Sequence, residues 1–240
     1  MKFGKARLVR QGAAHQAQVA DRVSFIRRTY AHLAGAIFLF VGLTALIQQL
    51  PAARQMTRTM LASRGAWIVV LLLFIVVSWV ADFWARRSES KTMQYIGLGL
   101  YVVAEVVIFT PLIYIAENFP QYKGAVPTAG LLTLLIFTGL TLTVFITKKD
   151  FSFLRGFLGI AVFAALGIIL GGLLFGFGLG LWFAVAMTAI ASLYILYYTS
   201  AVLKYYRTDQ HVAASLALFA CVALLFWYIL QIVMSMMGDD

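Results

Sequence analysis

AASLALFACVALLFWYILQIVMSM, residues 213–236, carries no charged side chain in 24 consecutive positions. At ~1.5 Å of rise per residue, a helix of that length covers ~36 Å, more than the ~30 Å hydrocarbon core of a bilayer. An apolar run this long reads as a membrane-spanning helix. Six further stretches upstream have the same character, at 31–49, 66–85, 94–117, 126–147, 156–175 and 179–203. Between Ala31 and Met237 the chain therefore divides into seven spans joined by short connections, and the expected fold is an all-α seven-helix membrane bundle.

The composition agrees. Hydrophobic residues make up 62% of the 240 and charged residues 12%, so a water-soluble fold would leave far too much apolar surface uncovered. Two segments are expected, a polar basic tail over 1–30 and a transmembrane domain over 31–237. The tail carries seven basic residues and lacks the apolar core of a cleavable signal peptide, so the first span is expected to insert as a signal anchor. The net charge of +10 does not point to nucleic acid, because the basic residues sit in the tail and the loops. With the tail placed in the cytoplasm, 15 of the 19 Lys and Arg fall on that side. The exceptions are Arg54, Arg58, Arg64 and Lys123, and this bias predicts N-terminus in and C-terminus out.

No HExxH is present, and of His15, His32 and His211 only the last has a nearby acid, Asp209, with no third ligand at zinc spacing. The one cysteine, Cys221, lies inside the last span and makes neither a disulfide framework nor a paired metal motif. A serine elbow and an intramembrane aspartate pair are missing. No lysine lies within 213–236 to form a retinal Schiff base. The glycines of GFGLG, 176–180, follow no strand and read as a hairpin between the fifth and sixth spans, not as a phosphate loop. No enzyme activity, metal or cofactor is expected. Gly167, Gly171, Gly172 and Gly176 fall at four-residue spacings that suit close helix approach.

Glu105, in YVVAEVVIF, stands near the middle of the third span. A carboxylate at a helix centre costs about 2.5 to 3.5 kcal/mol on insertion scales, so it should face the bundle interior or water. Two readings stand side by side, an ion or proton pathway residue and a protonated acid hydrogen-bonded to a neighbour. Pro111 removes a backbone hydrogen bond one and a half turns later and marks a kink or hinge candidate. Asp82 is placed to pair with Arg86 four residues on. Glu117 reads as an interfacial end residue, and the threonines of the fourth span as satisfying their own helix carbonyls.

Four stretches, FIRRTYAHLAGAIFLFVGLTAL (25–46), AGLLTLLIFTGLTLTVFITKKDFSFLRGFL (129–158), SLYILYYTSAVLKYY (192–206) and HVAASLALFACVALLFWYIL (211–230), resemble the Bax inhibitor-1 family. This is also called the transmembrane BAX inhibitor motif family and includes bacterial YccA-like members. The resemblance implies a seven-helix bundle with the last helix central, in the bacterial inner membrane. It also implies an aspartate in an ILYDTS-like run of span six and a second in a LYLDIINLF-like run of span seven, a pair that closes a pore and senses protons. Here ILYYTS places Tyr198 at the first position and LFACVALLF places Cys221 at the second.

A phenol and a thiol, with ordinary pKa values of ~10 and ~8.5, stay neutral where a carboxylate pair would share a proton. They also make a poor site for calcium, which prefers charged oxygen ligands. By this resemblance the expected activity is a passive calcium or proton leak through the membrane, with Glu105 its deep acid. The alternative is a non-conducting interaction protein that modulates a membrane-bound protease, favoured by the basic tail and the neutral pair. An unfamiliar membrane enzyme built on Glu105, Tyr198 and Cys221 is the third reading. Membrane lipids are implied partners in every case, and the loop bearing Lys204, Arg207, Asp209 and His211 could meet their headgroups.

Overall fold

The structure, a computed structural model, describes residues 2–87 and 90–238, with side chains described from residue 18 onward apart from those of 64 and 87. It is helical: α1 (Lys2–Gln48), α2 (Pro51–Leu61), α3 (Arg64–Arg87), α4 (Lys91–Asn118), α5 (Ala125–Thr147), α6 (Leu154–Phe175), α7 (Gly180–Lys204) and α8 (His211–Gly238). A single 3-10 turn, Pro120–Tyr122, precedes α5. All but α2 are long and apolar enough to cross a membrane, so the seven expected spans are present.

α8 is the central helix. It packs against α1, α3, α4, α5 and α7, and its buried residues occur on every side, among them Leu218, Phe219, Cys221, Leu225 and Leu230. A helix buried all round needs an uninterrupted apolar sequence, which is what 213–236 supplies. α3 and α6 are the opposite case. Both are equally apolar, yet most of their side chains face outward, including Trp79 and Phe163. Lipid satisfies them.

Three features differ from the sequence reading. First, α1 continues without a break through residue 30, and residues 22–30 pack into the bundle instead of forming a free tail: Phe25 and Thr29 are fully buried. Arg22 explains the docking. Its guanidinium donates to the carbonyls of Val202 (2.6 Å), Leu203 (3.2 Å) and Tyr206 at the end of α7, groups that have no partner within their own helix.

Second, the connection after the first span contains α2, which begins on Pro51, where the missing N–H is harmless. It buries Ala53, Thr57 and Met60 on one face, a spacing of four and three that marks an amphipathic helix. Third, the glycines of α6 do not mediate helix approach. A Cβ on Gly167 would point into open space, and those on Gly171 and Gly172 would meet Phe177 of their own hairpin. The close approach is instead at Gly97 of α4, where a Cβ would stand 2.7 Å from the Ala81 carbonyl of α3.

The GFGLG segment is a hairpin, with Gly176 (φ 81°) capping α6 and Gly180 (φ 68°) opening α7. Left-handed backbone of this kind favours glycine.

Candidate functional site

Glu105 sits in the interior, 5% exposed, among Val102, Val106 and Phe109 of α4. Tyr101 lies one turn earlier on the same helix, with its phenol in electrostatic reach of the Glu105 carboxyl. The Tyr101 ring is held edge-on against Phe219 of α8 at 6.1 Å. The deep carboxylate therefore faces protein, with a phenol nearby. The i−4 tyrosine was visible in YVVAE as a residue on the same helical face, a signal that the reading of Glu105 by itself passed over.

Tyr101 also lies within electrostatic range of Cys221 on α8, and Cys221 within range of Tyr198 and Tyr194 on α7. Cys221 is buried, and its thiol donates to the Ala217 carbonyl at 3.1 Å. Tyr198 stacks on Tyr194 with ring centres 6.1 Å apart and meets Tyr197 edge-on at 5.0 Å. Tyr198 and Cys221 thus belong to one neighbourhood at the α7–α8 contact. Glu105 approaches it through Tyr101.

Beyond Tyr198 the interior opens. A cavity of about 830 Å³ is lined by Arg86, Arg155, Tyr198, Tyr205, Tyr206 and Gln210 among others. Arg86 donates to Asp82 at 2.6 Å, the i,i+4 pair expected from the sequence, and lies 3.4 Å from the Tyr206 hydroxyl. Burial pushes the Tyr206 phenol above its usual range. A second cavity of about 360 Å³ opens at the other end of the bundle between Leu112, Tyr122, Leu181 and Gln231. Between the two the core is closed by stacked aromatics: Phe109 lies 5.6 Å from Phe226 and 5.0 Å from Trp227, and Phe40 lies 5.0 Å from Phe109.

Pro111 lies within α4, which runs through it from Lys91 to Asn118. The preceding residue is anchored twice. The Thr110 hydroxyl donates to the Val106 carbonyl at 2.7 Å, and the Gln48 amide donates to the Thr110 carbonyl at 3.1 Å. Of the fourth-span threonines, Thr133 and Thr143 donate to carbonyls four residues back, as expected, whereas the buried Thr141 hydroxyl makes no such bond.

The chain matches the family model described as inhibitor of apoptosis-promoting Bax1 over residues 22–239. It belongs to the Bax inhibitor-1 family. The match begins at the arginine that caps α7. Relatives include an uncharacterized protein of Pseudomonas aeruginosa, 28% identical over 220 residues and 90% of each chain. Another is Bax inhibitor 1 of Schizosaccharomyces pombe, 29% identical over 229 residues, covering 91% of this chain and 79% of the relative.

This Bax inhibitor-1 family member also has a polar cluster that the sequence reading did not assemble. His32 of α1, Tyr95 of α4 and His211 of α8 meet at one end of the bundle, with the two imidazole centres 5.0 Å apart. His32 Nδ1 lies 2.7 Å from the Arg28 carbonyl, which only accepts, so Nδ1 carries the proton. His32 Nε2 then accepts from Tyr95 at 3.0 Å, and the Tyr95 oxygen is left to accept from His211 Nε2 at 3.4 Å. His211, expected in a loop, is the buried first residue of α8. The neighbouring Arg207 is paired with Asp209 at 2.9 Å, and Lys204 lies 3.8 Å from Asp150. Among the described residues no group of three or more His, Cys, Asp or Glu is placed to hold a metal ion.

Proposed function

We propose that this protein is a gated leak of Bax inhibitor-1 type, closed in the conformation described, that passes protons and not calcium. The observation that carries the reading is the buried Glu105 beside Tyr101, near mid-depth in α4. A carboxyl group kept at that depth despite its insertion cost, on a helix packed against the central one, supports a role in ion passage. Tyr101, Cys221 and Tyr198 extend toward the larger cavity from there. One carboxylate among phenols and a thiol falls short of the six to eight oxygens calcium takes, whereas a proton needs only a transferable site. In this reading Tyr198 and Cys221 stand where other family members carry the aspartate pair. The membrane is a bacterial inner membrane, with the N-terminus in the cytoplasm.

The test is flux in proteoliposomes with a pH-sensitive or calcium-sensitive dye inside. Wild type should dissipate a proton gradient, Glu105→Gln should reduce that rate about tenfold or more, and calcium entry should match empty liposomes in both. Proton flux unchanged by Glu105→Gln, or calcium flux exceeding proton flux, sinks the reading.

A second reading, a non-conducting partner of a membrane-bound protease, is favoured by the aromatic closure between the two cavities. Wild-type liposomes no leakier than empty ones to either ion would select it.

A further inference from the structure

The cavity between α3, α6 and α7 is charged in one sense. Its lining contains two guanidinium groups, Arg86 and Arg155, and no carboxylate. The acids nearby are already engaged: Asp82 by Arg86 at 2.6 Å, Asp150 by Lys204 and the Tyr205 hydroxyl, and Asp209 by Arg207 at 2.9 Å. Arg155 has no anionic partner among the described residues, although it lies in the first turn of α6 at the edge of the hole. Neutral donors face the same space. Gln210 uses its side-chain oxygen to accept from the Arg207 backbone N–H at 3.2 Å, which leaves its amide protons free, and the Tyr197 hydroxyl adds to them.

The position selects the kind of anion. Arg86 closes one membrane-spanning segment and Arg155 lies at the start of another, so the cavity mouth is at the boundary between hydrocarbon and water. Its walls are lipid-side elements. α6 packs mainly on α7, while α3 packs on α2, α4 and α8, so the two flank the cavity without closing on each other. Phe83 and Phe157 expose apolar surface beside it, and Leu158 and Gly159 continue the apolar wall inside. A charged head at the arginines with acyl chains along α3 and α6 satisfies both halves of the site.

We infer that this cavity binds the phosphate headgroup of an anionic phospholipid, with Arg155 as the principal phosphate contact and Arg86 and Gln210 beside it. Guanidinium suits phosphate because its planar fork donates two parallel hydrogen bonds. The site shares Arg86 and Tyr198 with the vestibule of the proposed leak but does not depend on conduction.

The experiment measures retention of phosphatidylglycerol against phosphatidylcholine by the purified full-length protein, using native mass spectrometry during titration from mixed micelles. Three proteins are compared: wild type, Arg155→Ala and Lys149→Ala. Lys149 removes an equal charge from the same end of the bundle but lies outside the cavity lining. Arg155 is exposed, so its loss leaves the fold intact, and Arg155→Gln serves as a second variant. Phosphatidylglycerol should bind in preference to phosphatidylcholine. Arg155→Ala and Arg155→Gln should weaken it about tenfold, and Lys149→Ala less than about twofold, as the loss of one charge-assisted contact predicts. Inorganic phosphate at matched concentration should not displace the lipid. Equal weakening by Arg155→Ala and Lys149→Ala would reduce the effect to bulk charge and overturn the site. Full displacement by inorganic phosphate would overturn the lipid as its occupant.

Discussion

Tyr198 and Cys221 are where this chain departs from the pattern its family resemblance implies, and the chemistry of the departure is testable. Both groups sit at the α7–α8 contact, close enough to influence each other electrostatically. Neither a phenol nor a thiol ordinarily titrates between pH ~5 and 8, so this pair should add no pH dependence of its own in that window to whatever the Glu105 carboxyl contributes. The double change Tyr198→Asp with Cys221→Asp places two acids in one low-dielectric site, and at least one of them must hold its proton toward neutral pH. Flux into liposomes should then become steeply pH-dependent. An unchanged profile for the double variant would separate these two positions from the gate. Glu105 shows how far a single residue can be read. Its inward orientation followed from the cost of a mid-membrane carboxylate and its neighbour Tyr101 from the i,i+4 spacing, whereas the seating of the Tyr101 ring against Phe219 of α8 belongs to the tertiary packing.

At the scale of elements, the α3–α4 contact is set by a missing side chain. Gly97 brings its Cα against the Ala81 carbonyl and the Ala85 backbone nitrogen, with a Cβ position 3.1 Å from the latter. Backbone atoms cannot yield as a flexible side chain can. Gly97→Ala should therefore push α3 outward and destabilise the protein by about 1 to 3 kcal/mol, read as a lower midpoint in detergent unfolding. Gly139, with open space around it, should accept alanine with little change.

The α5–α6 connection is tied to α7 by electrostatics. The Tyr205 hydroxyl donates to Asp150, and this bond, helped by the Ser152 backbone N–H at 2.8 Å, holds the Asp150 carboxyl below its usual range. The folded pKa is lower than the unfolded value of ~3.9, so the contact stabilises fully above ~4 and its contribution is lost as pH falls through the folded value. The difference in unfolding midpoint between wild type and Asp150→Asn should accordingly be largest near neutral pH and shrink below pH ~4. A gap that widens on acidification would contradict this assignment.

For the whole molecule, the distribution of cations predicts an orientation that a fusion reporter can test. Arg22, Arg86, Lys91, Arg155 and Lys204 share the end of the bundle that carries the large cavity, as the links from Arg22 and Arg86 to the end of α7 show. With that end cytoplasmic, alkaline phosphatase fused after Asp240 should be active and the same reporter after Gly12 inactive. Asp240 and the side chains of residues 1–17 lie outside the described residues. The reverse pattern of activity would place the cavity on the periplasmic side.

The number of spans, the all-helical class and the Asp82–Arg86 pair were legible in the chain itself, whereas the central place of the last helix came only through the family resemblance. The former depend on length, apolarity and i,i+4 spacing, which are local properties of a helix in lipid. The docking of Arg22 onto α7 was not legible, because capping another helix is a relation between residues 180 positions apart. The same holds for the meeting of His32, Tyr95 and His211. It also holds for the arginine-lined cavity, whose walls come from three helices that adjoin only after the bundle closes. Hydrophobicity decides which segments enter the membrane. It does not distinguish one apolar face from another, so the partner of each face is chosen by steric fit and by the few polar groups that must find one another away from water.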